Sequence, residues 1–251
     1  MSIMNNQDKI DFIVGWIADY VSKMPNPAKS LIVGVSGGID SALTSTLASM
    51  TGLRTFALSM PISTSTNNST LSSTHGKWLE EKFTNTTFMT IDLTSTYMEF
   101  NSLLTSSNQD SDLGFANTKS RLRMVTLYQV AAAQGGLVVG TGNKVEDFGV
   151  GFYTKYGDGG VDISPIADLM KSEVFSMAST LGVDERILQA PPTDGLWDDN
   201  RTDESQLGLS YNDLEDAMEN ESSINRAKYI QIRRPNLHKM GPIPVCKMPK
   251  A

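Results

Sequence analysis

The stretch Ser36-Gly37-Gly38-Ile39-Asp40-Ser41 places two hydroxyls, two glycines and an acid within six positions. It follows a short apolar run, 31–35, and precedes a helix-like pattern over 41–50. Three kinds of structure use such residues. A tight strand-to-helix turn needs glycine for its backbone angles and Ser or Asp to cap the helix. A nucleophile elbow needs Gly-x-Ser-x-Gly, which Gly34-Val35-Ser36-Gly37-Gly38 supplies, with His238 downstream where a triad histidine belongs. A phosphate cradle needs bare glycines so that backbone N–H groups reach an anion at the positive end of a helix.

The hydrolase reading is weak, because that elbow follows several strands and here it follows the first. No His-Gly-Gly stretch precedes it to supply an oxyanion loop. The cradle fits better and has one peculiarity. It lacks the lysine of the Walker loop and presents Asp40 instead. A carboxylate repels a polyphosphate unless a divalent cation lies between them, and Mg²⁺ is the natural one. Gly34, Val35, Ser36, Gly37, Gly38, Ile39, Asp40 and Ser41 are therefore expected to receive pyrophosphate, with Asp40 a ligand of its metal.

The elements around this corner alternate. Helical patterns run over 10–21, 41–50, 71–83, 116–134 and 168–181, with another through Tyr97 and Leu104. Strand patterns run over 31–35, 55–60, 87–93 and 137–140, with a short fifth expected over 161–165. Two more helices, 211–220 and 222–232, close the chain. This order predicts an α/β fold, a single doubly wound parallel sheet flanked by helices. Ligands of such sheets bind beyond the carboxyl ends of the strands. The polar stretches 36–41, 60–65 and 141–146 each follow a strand.

Composition excludes several classes. With 251 residues, 39% hydrophobic, the chain is expected to be one domain spanning 1–251. Its net charge of −7 argues against sequence-independent nucleic-acid binding. Its apolar runs are too short to cross a bilayer and no secretory signal opens it, so a cytoplasmic protein without membrane partners is expected. One cysteine, Cys246, and two histidines, His75 and His238, leave little for disulfide or zinc chemistry. Basic residues gather at Arg226, Lys228, Arg233, Arg234, Lys239 and Lys247, either as a solvated face or as a patch for a small anion.

The segment SGGIDS resembles the signature of the ATP pyrophosphatases, which split ATP into AMP and pyrophosphate to adenylate a substrate. The stretch 116–175, ANTKSRLRM through KSEVF, is similar to the ammonia-dependent NAD synthetase family, and PPTDGLWDD, DESQLGLSY and LHKM continue the likeness over roughly residues 28–240. The resemblance implies a flavodoxin-like, adenine nucleotide alpha hydrolase-like fold. It also implies ATP and Mg²⁺, no glutaminase domain, and a homodimer whose substrate site lies at the subunit interface. The implied reaction is amidation of nicotinate adenine dinucleotide to NAD by free ammonia, through an acyl-adenylate.

By the same resemblance, Thr141, Lys171 and Thr193 contact ATP and Glu146 joins Asp40 on the metal. Arg121, Lys155, Asp162, His238 and Lys239 bind the dinucleotide, and Asp158 positions ammonia. Each has a plainer role open to it: a cap for Thr141, a helix-dipole partner for Glu146, turn chemistry for Thr193, an ion pair for Arg121. Two rivals stand beside this reading. Nicotinate mononucleotide ends in the same carboxylate, and a non-catalytic nucleotide-binding protein would keep the cradle while dispensing with Asp40, Glu146 and Lys171. The chain departs from the family pattern at ISTSTNNSTLSST after Pro61, where many members carry charge near the adenosine. It also has one residue more than some relatives between Glu146 and Lys155.

Overall fold

A helix opens the chain because Ile10, Ile13, Ile17 and Val21 share one buried face and Asn5 caps the first turn through the Asp8 N–H. The structure is a computed structural model that describes residues 4–62, 66–197, 199 and 201–249. Its elements run α1 (Asn6–Lys23), β1 (Ser30–Gly34), α2 (Ile39–Met50), β2 (Thr55–Ser59), α3 (Thr66–Lys82), β3 (Thr86–Thr90), α4 (Thr94–Ser106), α5 (Asp112–Gln134) and β4 (Gly136–Val139). A π-helix, Lys144–Val150, comes next, then α6 (Lys171–Leu181), α7 (Glu185–Leu188), α8 (Asp203–Leu207), α9 (Tyr211–Glu219) and α10 (Arg226–Arg233). A 3₁₀ turn, Arg234–Asn236, and α11 (Leu237–Met240) complete it. Among the described residues no helix is long and apolar enough to cross a membrane.

The strands form one parallel sheet in the order β3-β2-β1-β4. Alternate residues face opposite sides. Leu31, Val33 and Val139 pack with α1, α2 and α6, and Ala57 packs with Leu79 of α3 on that same side. Ile32, Phe56, Leu58 and Val138 pack with Met124, Leu127 and Ala131 of α5 on the other. Strand order advances from β1 through β2 to β3, then returns to the far side of β1 for β4. The crevice between β1 and β4 is thus the switch point, where ligands of open α/β sheets lodge.

Several elements differ from expectation: β3 ends at Thr90 rather than 93, α3 and α5 begin earlier, at Thr66 and Asp112, α10 begins later, at Arg226, and α7, α8 and α11 are additional. The fifth strand, 161–165, amounts to a single bridge between Val139 and Ile163. The Asp162 and Ile163 N–H groups both go to the Val138 carbonyl, the Asp162 carboxylate takes the Val138 N–H, and Pro165 has no N–H to extend a ladder. α6 begins at Lys171 rather than 168, because Glu173 reaches back to the Met170 N–H and fixes the start there. The stretch after Glu146, expected as a loop, lies in part within a seven-residue π-helix, Lys144–Val150.

Candidate active site

The corner after β1 is a strand-to-helix turn held by its own hydroxyls. Ser41 Oγ accepts from the Ser36 N–H (3.1 Å) and donates to the Gly38 carbonyl (2.9 Å), while Ser36 Oγ accepts from the Gly38 N–H (3.2 Å). Gly37 has φ +92°, a conformation that side chains resist. Gly38 occupies the N-cap of α2 and offers no side chain, so the first-turn N–H groups that lack intrahelical partners stay uncapped. Uncapped donors on the positive end of a helix constitute an anion site.

Beside this corner lies a buried cation. Lys171, at the start of α6, is the largest fully buried side chain, 2% exposed. Its Nζ donates to Asp40 Oδ2 (2.6 Å) and Glu146 Oε1 (2.8 Å), and it lies 4.8 Å from the Tyr211 ring centre. Burial alone lowers a lysine pKa, but the two carboxylates outweigh it and hold Lys171 above its ordinary value. Burial pushes Glu146 up, yet Lys171 and its hydrogen bonds prevail and its pKa falls. Asp40 ends above its usual range, because burial and the charge of Glu146 exceed what Lys171 returns.

Three further side chains complete the cluster. Asn143, fully buried, accepts from the Val145 and Glu146 N–H groups (both 3.0 Å), capping the π-helix, and donates to Asp40 Oδ1 (2.9 Å). It ties the end of β4 to the end of β1. Tyr211, from α9, donates its phenol proton to Glu146 Oε1 at 2.5 Å and stands 3.2 Å from Asp203 Oδ2. Burial and Glu146 raise Asp203 to about 7, and its Oδ1 is buried without a hydrogen-bond partner among the described residues. Gly142 passes so close to Asp147 that a Cβ would fall 1.8 Å from its carboxylate.

Two hard carboxylate oxygens aimed at one cation suit a divalent ion that prefers oxygen. Among the described residues no group of three or more His, Cys, Asp and Glu side chains could hold a metal. Such an ion would complete its shell with phosphate oxygens and water, as Mg²⁺ commonly does. The residues fit it.

The turn at 154–160 is clipped onto α5. Asp158 Oδ1 accepts from Ser120 Oγ (2.6 Å) and the Thr154 N–H (3.0 Å), and Thr154 Oγ1 donates to Asn117 (2.7 Å). Although Asp158 keeps considerable open surface as a residue, its carboxyl lies among enough protein that burial raises its pKa. Arg121 is exposed and donates to the Lys155 carbonyl (3.3 Å). Lys239 donates to the Tyr153 carbonyl, and Tyr153 donates back to the Lys239 carbonyl, both at 2.6 Å.

The structure therefore brings Asp40, Glu146 and Lys171 into direct contact and sets the Ser36–Ser41 corner against them. Asp162 spends both carboxylate oxygens within the protein, on Tyr128 (3.0 Å) and the Val138 N–H (2.8 Å). Thr193 is exposed, with its hydroxyl taking the Gly195 N–H, and His238 is exposed on α11. Thr141 lies partly buried just past β4. Of the Ser/Thr/Asn-rich segment after Pro61, residues 63–65 lie outside the described residues. Asn143, Tyr211 and Asp203 were not anticipated. Asn143 had a readable signal, an N-cap residue three positions before an acid.

A family profile described as NAD synthase matches residues 9–240. The chain is 36% identical over 242 residues to the NH(3)-dependent NAD(+) synthetase of Mesoplasma florum, covering 95% of this chain and 93% of that one. The solved NMN synthetase of Francisella tularensis superposes with a TM-score of 0.88 at 29% identity, over 98% of this chain and 100% of that one. The NH3-dependent NAD synthetase of Campylobacter jejuni superposes at 0.76 with 25% identity, over 97% of this chain and 100% of that one.

Proposed function

The chain belongs to the NAD synthase family, and from that premise we infer that its cleft carries out the reaction for which its curated relatives are named. It is a C–N ligase that uses ATP and free ammonia to amidate nicotinate adenine dinucleotide to NAD. The observation that carries the reading is the convergence of Asp40 and Glu146, from two neighbouring strand ends, on one buried cation beside an uncapped helix start.

A carboxylate resists attack by ammonia because its charge is delocalised and oxide is a poor leaving group. Adenylation removes both obstacles. The pyridine carboxylate oxygen bonds to the α-phosphorus of ATP while the bond from that phosphorus to the β-bridging oxygen breaks, its electron pair leaving with pyrophosphate. Ammonia then adds to the acyl carbon, loses a proton, and AMP departs. The protein contributes positioning and charge stabilisation. Gly34–Ser41 receive the departing pyrophosphate, and Lys171 is the cation for the ATP phosphates. Asp40 and Glu146 hold Mg²⁺, which when bound neutralises charge on the leaving group. Thr141 and Thr193 contact ATP. Arg121, Lys155, Asp162, His238 and Lys239 hold the dinucleotide, and Asp158, with its raised pKa, receives ammonia at the pyridine end.

The chain is read as a single cytoplasmic domain that works as a homodimer, which size-exclusion chromatography with light scattering tests. Incubation with ATP, Mg²⁺, ammonium and nicotinate adenine dinucleotide should release AMP in step with NAD, and ADP in its place refutes the reading. One neighbour in fold is described as an NMN synthetase, so the fold alone does not separate the two nucleotide lengths. The names of the curated relatives favour the dinucleotide, which should show the higher kcat/KM.

A further inference from the structure

Arg123 is a charged side chain of the cleft that the mechanism above leaves without a task. It projects from α5 between Ser120, which grips Asp158, and Leu127. Its Nε donates to the Met60 carbonyl (3.1 Å), one residue past the end of β2. Met60 and Leu127 both close over Gly34, where an added Cβ would lie 3.4 Å and 3.6 Å from them. The guanidinium is thereby anchored between the end of β1, which opens into the Ser36–Ser41 corner, and the Asp158 turn.

What remains of its donor set is unspent. Among the described residues, Nη1 and Nη2 of Arg123 have no hydrogen-bond or ion-pair partner. Asp158 and Asp194 bear on its charge from a distance, and burial draws its pKa below the ordinary arginine value. Arg121 likewise donates through Nε alone, to the Lys155 carbonyl, but it is exposed, whereas Arg123 is half-buried. Arg186 and Arg201 pair with Asp184 and Asp199, and Arg226 and Arg233 donate to backbone carbonyls. A half-buried cation held by one neutral carbonyl keeps both Nη groups to offer, and an anion with two oxygens matches its planar fork.

The reaction has one such anion without an assigned cation. The β and γ phosphoryl groups face the helix start, Lys171 and the carboxylate-bound metal, whereas the phosphorus under attack lies between them and the pyridine end. We propose that Arg123 binds the non-bridging oxygens of the α-phosphoryl group through Nη1 and Nη2, in ATP and again in the acyl-adenylate. This rests on the adenylation reading. As the carboxylate oxygen bonds to phosphorus and the bond to pyrophosphate breaks, those oxygens retain their charge, and the guanidinium balances it throughout.

Equilibrium binding without turnover tests the assignment, using AMP, adenosine and inorganic pyrophosphate as separate probes. Arg123→Gln should weaken AMP about tenfold to a hundredfold, the usual worth of a charge-assisted pair. Adenosine and pyrophosphate should bind within twofold of wild type, and Arg123→Lys should recover part of the loss. Unchanged AMP binding overturns the proposal, as does a parallel loss of adenosine, which would make Arg123 a support for the nucleoside pocket. A loss confined to pyrophosphate would place it on the wrong phosphoryl groups and overturn it too. Wild-type protein that yields no AMP from ATP would defeat the adenylation reading itself, and the binding comparison stands apart from that result.

Discussion

Replacing Lys171 by methionine keeps the length and apolar body of the side chain and deletes one charge. In the wild type that charge sits 2.6 Å and 2.8 Å from two carboxylates that are largely withdrawn from solvent. Removing one partner of a buried ion pair costs about 3–5 kcal/mol, because the other is left uncompensated. Here Asp40 begins with a raised pKa and relieves part of the strain by taking a proton, so the loss should grow as pH rises. For a chain of this size each kcal/mol lowers Tm by about 2–4 °C, which puts the expected fall on the order of 10 °C. Metal alone then separates an electrostatic cause from general damage. With the ammonium gone, the paired oxygens are free to take a divalent ion, and Mg²⁺ at a hundredfold its Kd returns about 2.7 kcal/mol. Thermal melts of Lys171→Met with and without MgCl₂, in the absence of nucleotide, should show a larger shift than wild type, where the ion must first displace Nζ. A variant that melts with wild type, or whose shift is no larger than wild type's, refutes the view that the carboxylate pair is a cation site occupied by lysine.

Asp40→Asn should leave the fold intact and lower kcat by roughly a hundredfold or more, as loss of one group stabilising developing charge typically does; near-normal turnover contradicts the metal assignment. His75 is buried, bonded to Ser45 at 3.0 Å and stacked on Trp78, and burial lowers its pKa to about 4. The unfolded chain takes up a proton near pH 6.5 that the folded state refuses, so stability present above that pH should drop by about 3 kcal/mol on acidification to pH 4. Urea titrations of wild type and His75→Gln across that range should show this slope in wild type only. Asp203 behaves oppositely: its folded pKa, raised to about 7, gives stability that is complete below about pH 4 and lost as pH rises through 7. Asp203→Asn should therefore gain on wild type by roughly a few kcal/mol at pH 8 and not at pH 4, as chemical denaturation at the two pH values would reveal.

Local signals carried the frame of the site. Residues 31–35 and 55–60 read as strands because parallel strands buried on both faces are unbroken apolar runs, and they fold as β1 and β2. The Ser36–Ser41 corner was legible because few other uses call for paired glycines, hydroxyls and an acid between a strand and a helix. Two departures have local physical causes that periodicity does not record. The run 161–165 has strand-like composition, but Asp162 turns its side chain onto the backbone it should have paired with. A π-helix keeps no 3.6-residue period, so the stretch after Glu146 reads as a loop.

What stayed hidden is what arrives from far along the chain. Lys171 lies 131 residues from the carboxylate it neutralises, and nothing around it in the sequence distinguishes it from a surface lysine; family likeness alone singled it out. Tyr211 lies 65 residues from Glu146 and enters on α9, an element that packs chiefly on the π-helix, α6 and α10 rather than on the sheet. These additions share a physical need. Two acids at adjacent strand ends repel each other, and a doubly wound sheet brings its strand ends together at the switch point whatever their charge. The fold answers with Asn143 bonding one carboxylate, Tyr211 the other, and Lys171 both, so that the pair is held ready for a cation. The sheet determines where the acids meet, and side chains from the later helices determine whether they can remain there ionised.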